Sequence, residues 1–534
     1  MGKINGGKLV ARVLKQEGVE YLFALSGGEI DPILQSCTDE GIKVIDTRHE
    51  QAAVFAAEGW AHLTGKPGIA AATAGPGFTN AVTGLWDALG KACPIIVFGG
   101  RTGIRNFELG AMQDMNSLET AGTITKWAKS GYETKRVAEY VSMAFRQALS
   151  GRPGPVYLEF PIDILAAEIE EEEAVLPTSY RTTARPQGDP QMVSKAVDLL
   201  LKAERPLVFG GMGLWWSQAA EELREFIELT GIPFFGGYSR GVLPDDHPLC
   251  LCARVGTEQA DAVLAIGTRI DYKMGFGRPP VFSNESKWVQ VDIEPTEIGR
   301  NRKIDVGIIG DARAVLRQLT DEARDKCKNR TELPWVKQCR ELVAAQQEQI
   351  APLVNSDKSP VHPARLCREI RDMLDRDATI IIDGGEISGW GFRVLRSYHP
   401  GHMLNILPTG TLGIGASYAI AARLARPDKQ VLLLSGDGSY GLNVMEFDTM
   451  VRHNLPVVSI ISNDSSWGVI RRLQVNRGTG RAVGTALGFV RYDKVIEALG
   501  GYGELVESPE EIRPALERAF ASGLPACINV RTAF

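Results

Sequence analysis

An apolar run, VLLLS, leads into Gly436-Asp437-Gly438-Ser439, and a second, VVSIIS, leads into Asn463-Asp464-Ser465-Ser466. In a parallel sheet both strand ends open on the same carboxyl edge, where ligands bind. Asp437 and Asp464, 27 residues apart, would then meet across adjacent strand ends. Two carboxylates and a loop carbonyl are hard oxygen donors suited to octahedral Mg²⁺. Gly436 and Gly438 let the backbone approach a phosphate, and a helix that follows turns its N-terminus toward it. Taken alone, Gly-Asp-Gly is equally an ordinary turn. Toward the other end of the chain, IDTRHEQAAVFAAEGWA (residues 45–61) places Glu50 at the opening of an Ala-rich helix. There it is a candidate acid–base group, or simply a favourable charge at a helix N-terminus. The stretch TAGPGFTN, residues 73–80, is a Gly-rich strand-to-helix turn that brings Thr73, Gly75 and Asn80 to the same edge, or a capped turn without further role.

Such an arrangement needs strands that all end on one side. Short apolar runs alternate with amphipathic stretches along the whole chain, as in parallel α/β sheets. In the first third the expected strands are Tyr21–Leu25, Val44–Thr47, Gly68–Thr73, Ile95–Gly99 and Val156–Phe160, with helices over Gly7–Glu17, Glu50–Thr64 and Phe78–Gly90. The pattern lapses at EIEEEEAVLPTSYRTTARPQGDP, residues 168–190, which reads as a linker. A second unit covers 191–325, a charged and then polar stretch at 326–360 forms another linker, and a third unit runs over 361–534. With residues 1–167 this makes three Rossmann-like or flavodoxin-like α/β domains with parallel sheets. The first and third share a size and a rhythm, as two copies of one domain type would.

Composition narrows the partners. With 44% hydrophobic and 23% charged residues among 534, the chain is globular rather than disordered or fibrous. A net charge of -6 without a basic stripe gives no footprint for nucleic acid, so an anionic ligand must be met by a local site. The eight cysteines are scattered, without CxxC spacing, and read as buried reduced thiols. No run approaches the length of a membrane span and the N-terminus lacks an apolar signal core, so a cytoplasmic protein is expected.

Together these motifs resemble the thiamine diphosphate enzymes of the acetolactate synthase and pyruvate decarboxylase superfamily, over essentially the whole chain. GGKLVARVLKQEGVEYLFALSGGEID, DTRHEQAA, TAGPGFTNAVT and ITKWA look closest to benzaldehyde lyase. GVLPDDHPLC, ADAVLAIGTRIDYKMGFGRPP and WVQVDIEPTEIGRNRK look more like 2-hydroxyacyl-CoA lyase and oxalyl-CoA decarboxylase. The resemblance implies a pyrimidine-binding domain over 1–167, a central domain over 191–325 and a diphosphate- and Mg²⁺-binding domain over 361–534. It also implies a homodimer or homotetramer with sites shared between subunits. Glu50 would bond N1′ of the aminopyrimidine, so that the 4′-imino group can take the thiazolium C2 proton. Asp437, Asp464 and the Ser466 carbonyl would ligate Mg²⁺. Gly436, Gly438 and Ser439 would hold the diphosphate, and Thr73, Gly75 and Asn80 would lie with Glu50 at the cofactor. In LPTGTLGIGASY, residues 407–418, the Gly410 carbonyl would accept from the 4′-amino group and Leu412 would wedge between the two rings. Gln113, in GAMQDMNSL, would bond the substrate oxygen.

Two places depart from the family pattern. The metal loop usually reads Asn-Asn, where this chain has Asn463-Asp464, leaving the site one charge more negative. The lyase-type loop carries a His near position 29, where this chain has Gly28-Glu29, so Gly28 and Glu29 are candidates whose part in proton transfer is open. His49, His399 and His402 are secondary candidates for proton transfer, and Arg471, Arg472 and Arg477 for meeting an anion. In the middle unit FGGMGLWW lacks a full GxGxxG, while Arg269 and Asp292 sit where CoA-handling relatives contact ADP. An ADP or CoA moiety is therefore a candidate ligand, and FAD is not expected. The chain stops directly after its last strand, so either the site is more open, favouring small or exchangeable substrates, or another element such as residues 471–487 covers it. The expected activity is carbon–carbon lyase or carboligase chemistry on acyloins or 2-hydroxyacyl-CoA thioesters, through a thiamine ylid and an enamine. The alternative is an acetolactate synthase-like decarboxylating carboligase acting on 2-keto acids.

Overall fold

The computed structural model describes residues 2–327 and 333–533; the part of the expected second linker at 328–332 lies outside the described residues. Three α/β domains of Rossmann-like type follow one another, each built on a parallel sheet. The first sheet is ordered Lys43–Asp46, Tyr21–Ala24, Gly68–Ala72, Ile95–Arg101, Val156–Pro161 and Trp127–Ser130. The third is ordered Met403–Asn405, Thr379–Ile382, Val431–Gly436, Val458–Asn463, Ala526–Arg531 and Tyr502–Val506. Counting strands within each domain, both sheets read 2-1-3-4-6-5. The rhythm shared by the two ends of the sequence is thus a shared topology. The central sheet, Phe234–Phe235, Pro206–Gly210, Ala262–Ile266, Lys287–Asp292 and Val306–Ile309, reads 2-1-3-4-5.

In all three sheets the order reverses between the first and third strands, which opens a crevice at their carboxyl ends. In the third domain this crevice lies between Thr379–Ile382 and Val431–Gly436, so the turn after Gly436 falls on it. These two strands are fully buried runs rich in Ile, Leu and Val, which is why they read as continuous apolar segments.

The end domains share a core. Helix Glu50–Thr64 packs against helix Gly415–Ala425, and one hydrophobic cluster contains Phe55, Trp60 and Phe78 together with Tyr418, Ile420 and Leu433. Gly59 permits this closeness, since a Cβ there would stand 3.1 Å from Tyr418. A helix with alanines on every side is a candidate for burial all round, and Ala52, Ala53, Ala56, Ala57 and Ala61 are all buried.

Both expected linkers are more ordered than their composition indicates. Glu168–Glu170 pairs antiparallel with Lys3–Asn5, tying the acidic stretch to the first domain. Within 326–360, Pro334–Val354 is a helix whose Trp335 is buried and donates to the Pro206 carbonyl at 3.1 Å, anchoring it to the central domain. All eight cysteines are free thiols, and Cys250 and Cys252 are half-buried where the other six are buried. No helix among the described residues is long and apolar enough to cross a membrane.

Candidate active site

Two clusters form, one on each end domain. In the third domain Asp437 opens the turn after Val431–Gly436 and is 3% exposed. Burial, with the Asp464 carboxylate facing it, pushes its carboxyl up to about 7. Asp464 shifts in the same direction, mainly through burial and further through Glu386. Its Oδ1 accepts from the Ser466 amide at 3.0 Å and from Ser466 Oγ at 2.9 Å. A buried and a half-buried carboxylate facing each other are costly unless a cation lies between them. The donor set therefore fits a divalent ion.

The phosphate cradle around them contains more than the sequence reading assigned. Asp383, at the end of Thr379–Ile382, is 2% exposed and accepts from the amides of Gly384 at 2.7 Å, Gly413 at 3.1 Å and Gly415 at 2.9 Å. Ser439 Oγ donates to Asp383 at 2.6 Å while accepting from the Gly384 and Gly413 amides at 3.2 and 3.0 Å. Its hydroxyl is thus fully engaged in joining three loops, and its backbone is what remains to face a phosphate. Gly436 and Gly385 meet backbone to backbone, with a Gly436 Cβ only 2.9 Å from the Gly385 Cα. Any side chain there would part the two strand ends. Trp467 lies against Gly438, and Leu412, half-buried, lies over Gly384. Gly410 is exposed at φ +76° with open space around it.

On the first domain Glu50 opens helix Glu50–Thr64 at 6% exposure and accepts from Asn80 Nδ2 at 3.0 Å. Thr73 donates to Glu29, which is half-buried rather than an exposed loop acid. Gly77 lies between Thr73 and Glu50, its Cβ position 3.5 Å from Glu50 Oε1. Gly75 takes φ +55°, and Gln113, itself at φ +62°, presses its backbone against it. Glu29, Glu50, Thr73, Gly75, Asn80 and Gln113 thus form one group at the carboxyl edge, with Gly28 exposed on its rim.

The secondary histidines do not join them. His49 Nδ1 caps its helix by accepting from the Gln51 amide at 3.1 Å. His399 and His402 stack at 5.0 Å before Met403–Asn405, at the amino end of the sheet and opposite the ligand edge. Arg472 pairs with Glu386, which fixes helix Gly468–Gln474 beside Asp464. Arg471 lies on that helix and Arg477 on the turn after it.

Within one chain Asn80, the partner of Glu50, and the loop carrying Gly410 sit at opposite ends of one helix. Asn80 stands at the N-terminal end of helix Pro76–Lys91, whereas the loop carrying Gly410 packs on Gly90 at the other end. Ten residues of helix separate those contacts by ~15 Å.

In the central domain a cleft of about 690 Å³ opens at the carboxyl edge, lined in part by Gly213, Thr268, Arg269, Asp292 and Asp311. Arg269 Nε lies 3.2 Å from Glu297, and burial pushes the Asp292 carboxyl up to about 6.

Residues 4–120 match the model of the thiamine pyrophosphate enzyme N-terminal TPP binding domain, 193–319 the central domain, and 383–530 the C-terminal TPP binding domain. A probable acetolactate synthase of Mycobacterium bovis is 37% identical over 99% of this chain and 96% of its own length. The chain belongs to the thiamine pyrophosphate enzyme family. Other relatives of similar extent carry a different activity name. The 2-hydroxyacyl-CoA lyase 2 of Homo sapiens is 32% identical over 98% of this chain and 90% of its own. The 2-hydroxyacyl-CoA lyase of Arabidopsis thaliana is 32% identical over 99% and 95%. With a divalent ion between Asp437 and Asp464, Asp464 would bring one more negative charge to it than an asparagine would. Asp464→Asn is expected to release Mg²⁺ to a chelator faster than the unmodified protein, by about tenfold, as followed with a metal indicator dye. Equal release rates would contradict that role.

Sequence reasoning missed Asp383, Gly384 and Gly385. The signal was present, since TIIID runs into Gly-Gly just as VLLLS runs into Gly-Asp-Gly.

Proposed function

We propose that the protein is a thiamine diphosphate- and Mg²⁺-dependent carbon–carbon lyase and carboligase, acting on 2-hydroxyacyl-CoA thioesters or acyloins. The observation that supports this reading is a cavity of about 920 Å³ between the central and third domains. Arg254, Lys273, Arg393 and Arg396 line it with the rings of Tyr272 and Trp390, and no described carboxylate does. It reaches Asn405 and Leu407, directly before the loop that carries Gly410 and Leu412. Burial, then Arg254, depresses the Lys273 ammonium, and Asp271 partly offsets this. Phosphates beside a flat heterocycle match such a lining, and a thioester of coenzyme A carries both.

When bound, thiamine diphosphate would supply a carbanion nucleophile for a carbonyl adjacent to a carbinol carbon. Asp437 and Asp464 would hold Mg²⁺ with the Ser466 carbonyl, and the amides around Gly436, Gly438 and Ser439 would meet the diphosphate. Glu50, fixed by Asn80, holds a proton at the aminopyrimidine nitrogen. Gln113 would hydrogen-bond the substrate oxygen, and Glu29, held by Thr73, would be the group for a second proton exchange. Because Glu50 and the Gly410 loop are separated within a chain, a homodimer or homotetramer brings one subunit's Glu50 to another subunit's metal. From a 2-hydroxyacyl-CoA the products are an aldehyde and formyl-CoA, which conserves every atom of the substrate. The reverse direction is carboligation. The cleft at Arg269 and Asp292 is the alternative place for the ADP part of such a ligand.

The second reading is an acetolactate synthase-like carboligase, favoured by the name and 37% identity of the mycobacterial relative. Paired kinetics separate the two. Arg393→Ala is expected to raise KM for a 2-hydroxyacyl-CoA about tenfold, the worth of one charge-assisted contact, and to leave KM for a phosphate-free acyloin unchanged. Equal effects on both substrates would contradict the assignment of the cavity.

A further inference from the structure

One group of buried charges takes no part in the site described above. Glu58, Asp87, Lys91 and Tyr418 are each 3% exposed or less and meet where the first domain packs on the third. Lys91 Nζ lies 2.7 Å from Asp87 Oδ2, 2.7 Å from Tyr418 Oη and 3.3 Å from Glu58 Oε1. Asp87 and Tyr418 accept hydrogen bonds from it, and Glu58 completes the group as an ion-pair partner. Burial alone would lower the Lys91 ammonium, but Asp87 and Glu58 reverse this and hold it charged. Lys91 also supplies the positive charge beside Glu58, His62 and Cys93, a trio with metal-ligand character. Burial, then Lys91, pushes His62 down to about 3, so His62 is neutral.

Asp87 has a second contact, since its Oδ1 accepts from Thr409 Oγ1. Thr409 immediately precedes Gly410, and Tyr418 lies on the helix that follows the same loop. Asp87 and Lys91, one turn apart on helix Pro76–Lys91, therefore grip the loop on either side of Gly410 and Leu412. Gly90 makes the approach possible, as a Cβ there would stand 2.3 Å from Thr409 Cγ2. From the central domain Tyr272 donates to the Pro408 carbonyl at 2.8 Å. The tip at Gly410 has nothing around it within 4 Å of a Cβ position, so its placement depends on these anchors.

We propose that the buried Asp87–Lys91 pair is a clamp that positions the cofactor-binding loop 407–413 of its own chain, with Thr409 as the contact through which it acts. The proposal rests on the assignment of that loop to thiamine diphosphate. Asp87, Lys91 and Thr409 are positioning residues, and the pair couples the first domain of each chain to the loop of its own third domain.

Thr409→Val removes the hydroxyl while leaving Asp87 its ion pair with Lys91, so the fold is retained. Cofactor affinity is read from quenching of tryptophan fluorescence, with Trp467 beside Gly438, as thiamine diphosphate is titrated in excess Mg²⁺. Melting of the cofactor-free protein reports the fold separately. Thr409→Val is expected to weaken binding about tenfold, the scale of a lost hydrogen bond to a buried charged acceptor, with an unchanged cofactor-free melting temperature. Thr409→Ser is expected to bind like the unmodified protein. Unaltered binding by Thr409→Val, or a loss matched by an equal fall in cofactor-free stability, would overturn the clamp. Failure of the unmodified protein to bind thiamine diphosphate would overturn the clamp together with the reading it rests on.

Discussion

Glu50→Gln is expected to lower turnover by about three orders of magnitude, within the range that a positioned acid–base group contributes, while cofactor affinity changes far less. The amide keeps the shape of the side chain and an oxygen to accept from Asn80, but it cannot hold a proton in the carboxyl's place. Glu50 is 6% exposed and its hydrogen-bond donor is fixed at 3.0 Å, so water is poorly placed to substitute. Exchange of the cofactor's C2 proton into deuterated buffer, followed by NMR, isolates this step from substrate binding. The expected result is fast exchange on the unmodified protein and near-solution exchange on Glu50→Gln. Matched exchange rates would remove Glu50 from its assigned role.

Asp437→Asn produces the other large effect, with the opposite sign in its two states. In the metal-free protein Asp437 is pushed up to about 7, chiefly by burial and next by Asp464. A carboxyl whose folded pKa exceeds its unfolded one favours folding below pH ~4 and loses that contribution as pH rises toward 7. Replacing it by Asn removes this burden, so metal-free Asp437→Asn should melt no lower than the unmodified protein at pH 8. With Mg²⁺ and thiamine diphosphate the order reverses. The variant loses one of two carboxylate ligands, and its Mg²⁺ affinity should fall about 100-fold or more. Differential scanning calorimetry with and without Mg²⁺ and cofactor shows both halves. A ligand-induced stabilisation that survives in Asp437→Asn would place the metal elsewhere.

Much of this site was legible because it sits where apolar strands stop. VLLLSGDG and IISND announce themselves by an abrupt change from branched aliphatic residues to Gly and Asp, and parallel pairing makes that change a ligand edge. Glu50 stands out similarly, between a strand and an alanine helix. The edge strands Trp127–Ser130 and Tyr502–Val506 were hidden because WAKS and YGELV are only partly buried and carry no apolar run. Ser439 was legible as a site residue, but its bonds to Asp383, Gly384 and Gly413 depend on loops distant in sequence. His399 and His402 had the right chemistry and the wrong end of the sheet. The Asp87–Lys91 pair is the extreme case. On a helix surface Asp and Lys four residues apart read as a solvated pair, and only domain packing buries them and turns them toward Thr409.

The reaction itself is tested most directly by one competition. The protein, with thiamine diphosphate and Mg²⁺, is given equal concentrations of a 2-hydroxyacyl-CoA and pyruvate, and the products are separated and quantified over time. The lyase reading predicts that aldehyde and formyl-CoA accumulate in equal amounts and faster than acetolactate. Acetolactate formed as the dominant product, with the 2-hydroxyacyl-CoA intact, would contradict it.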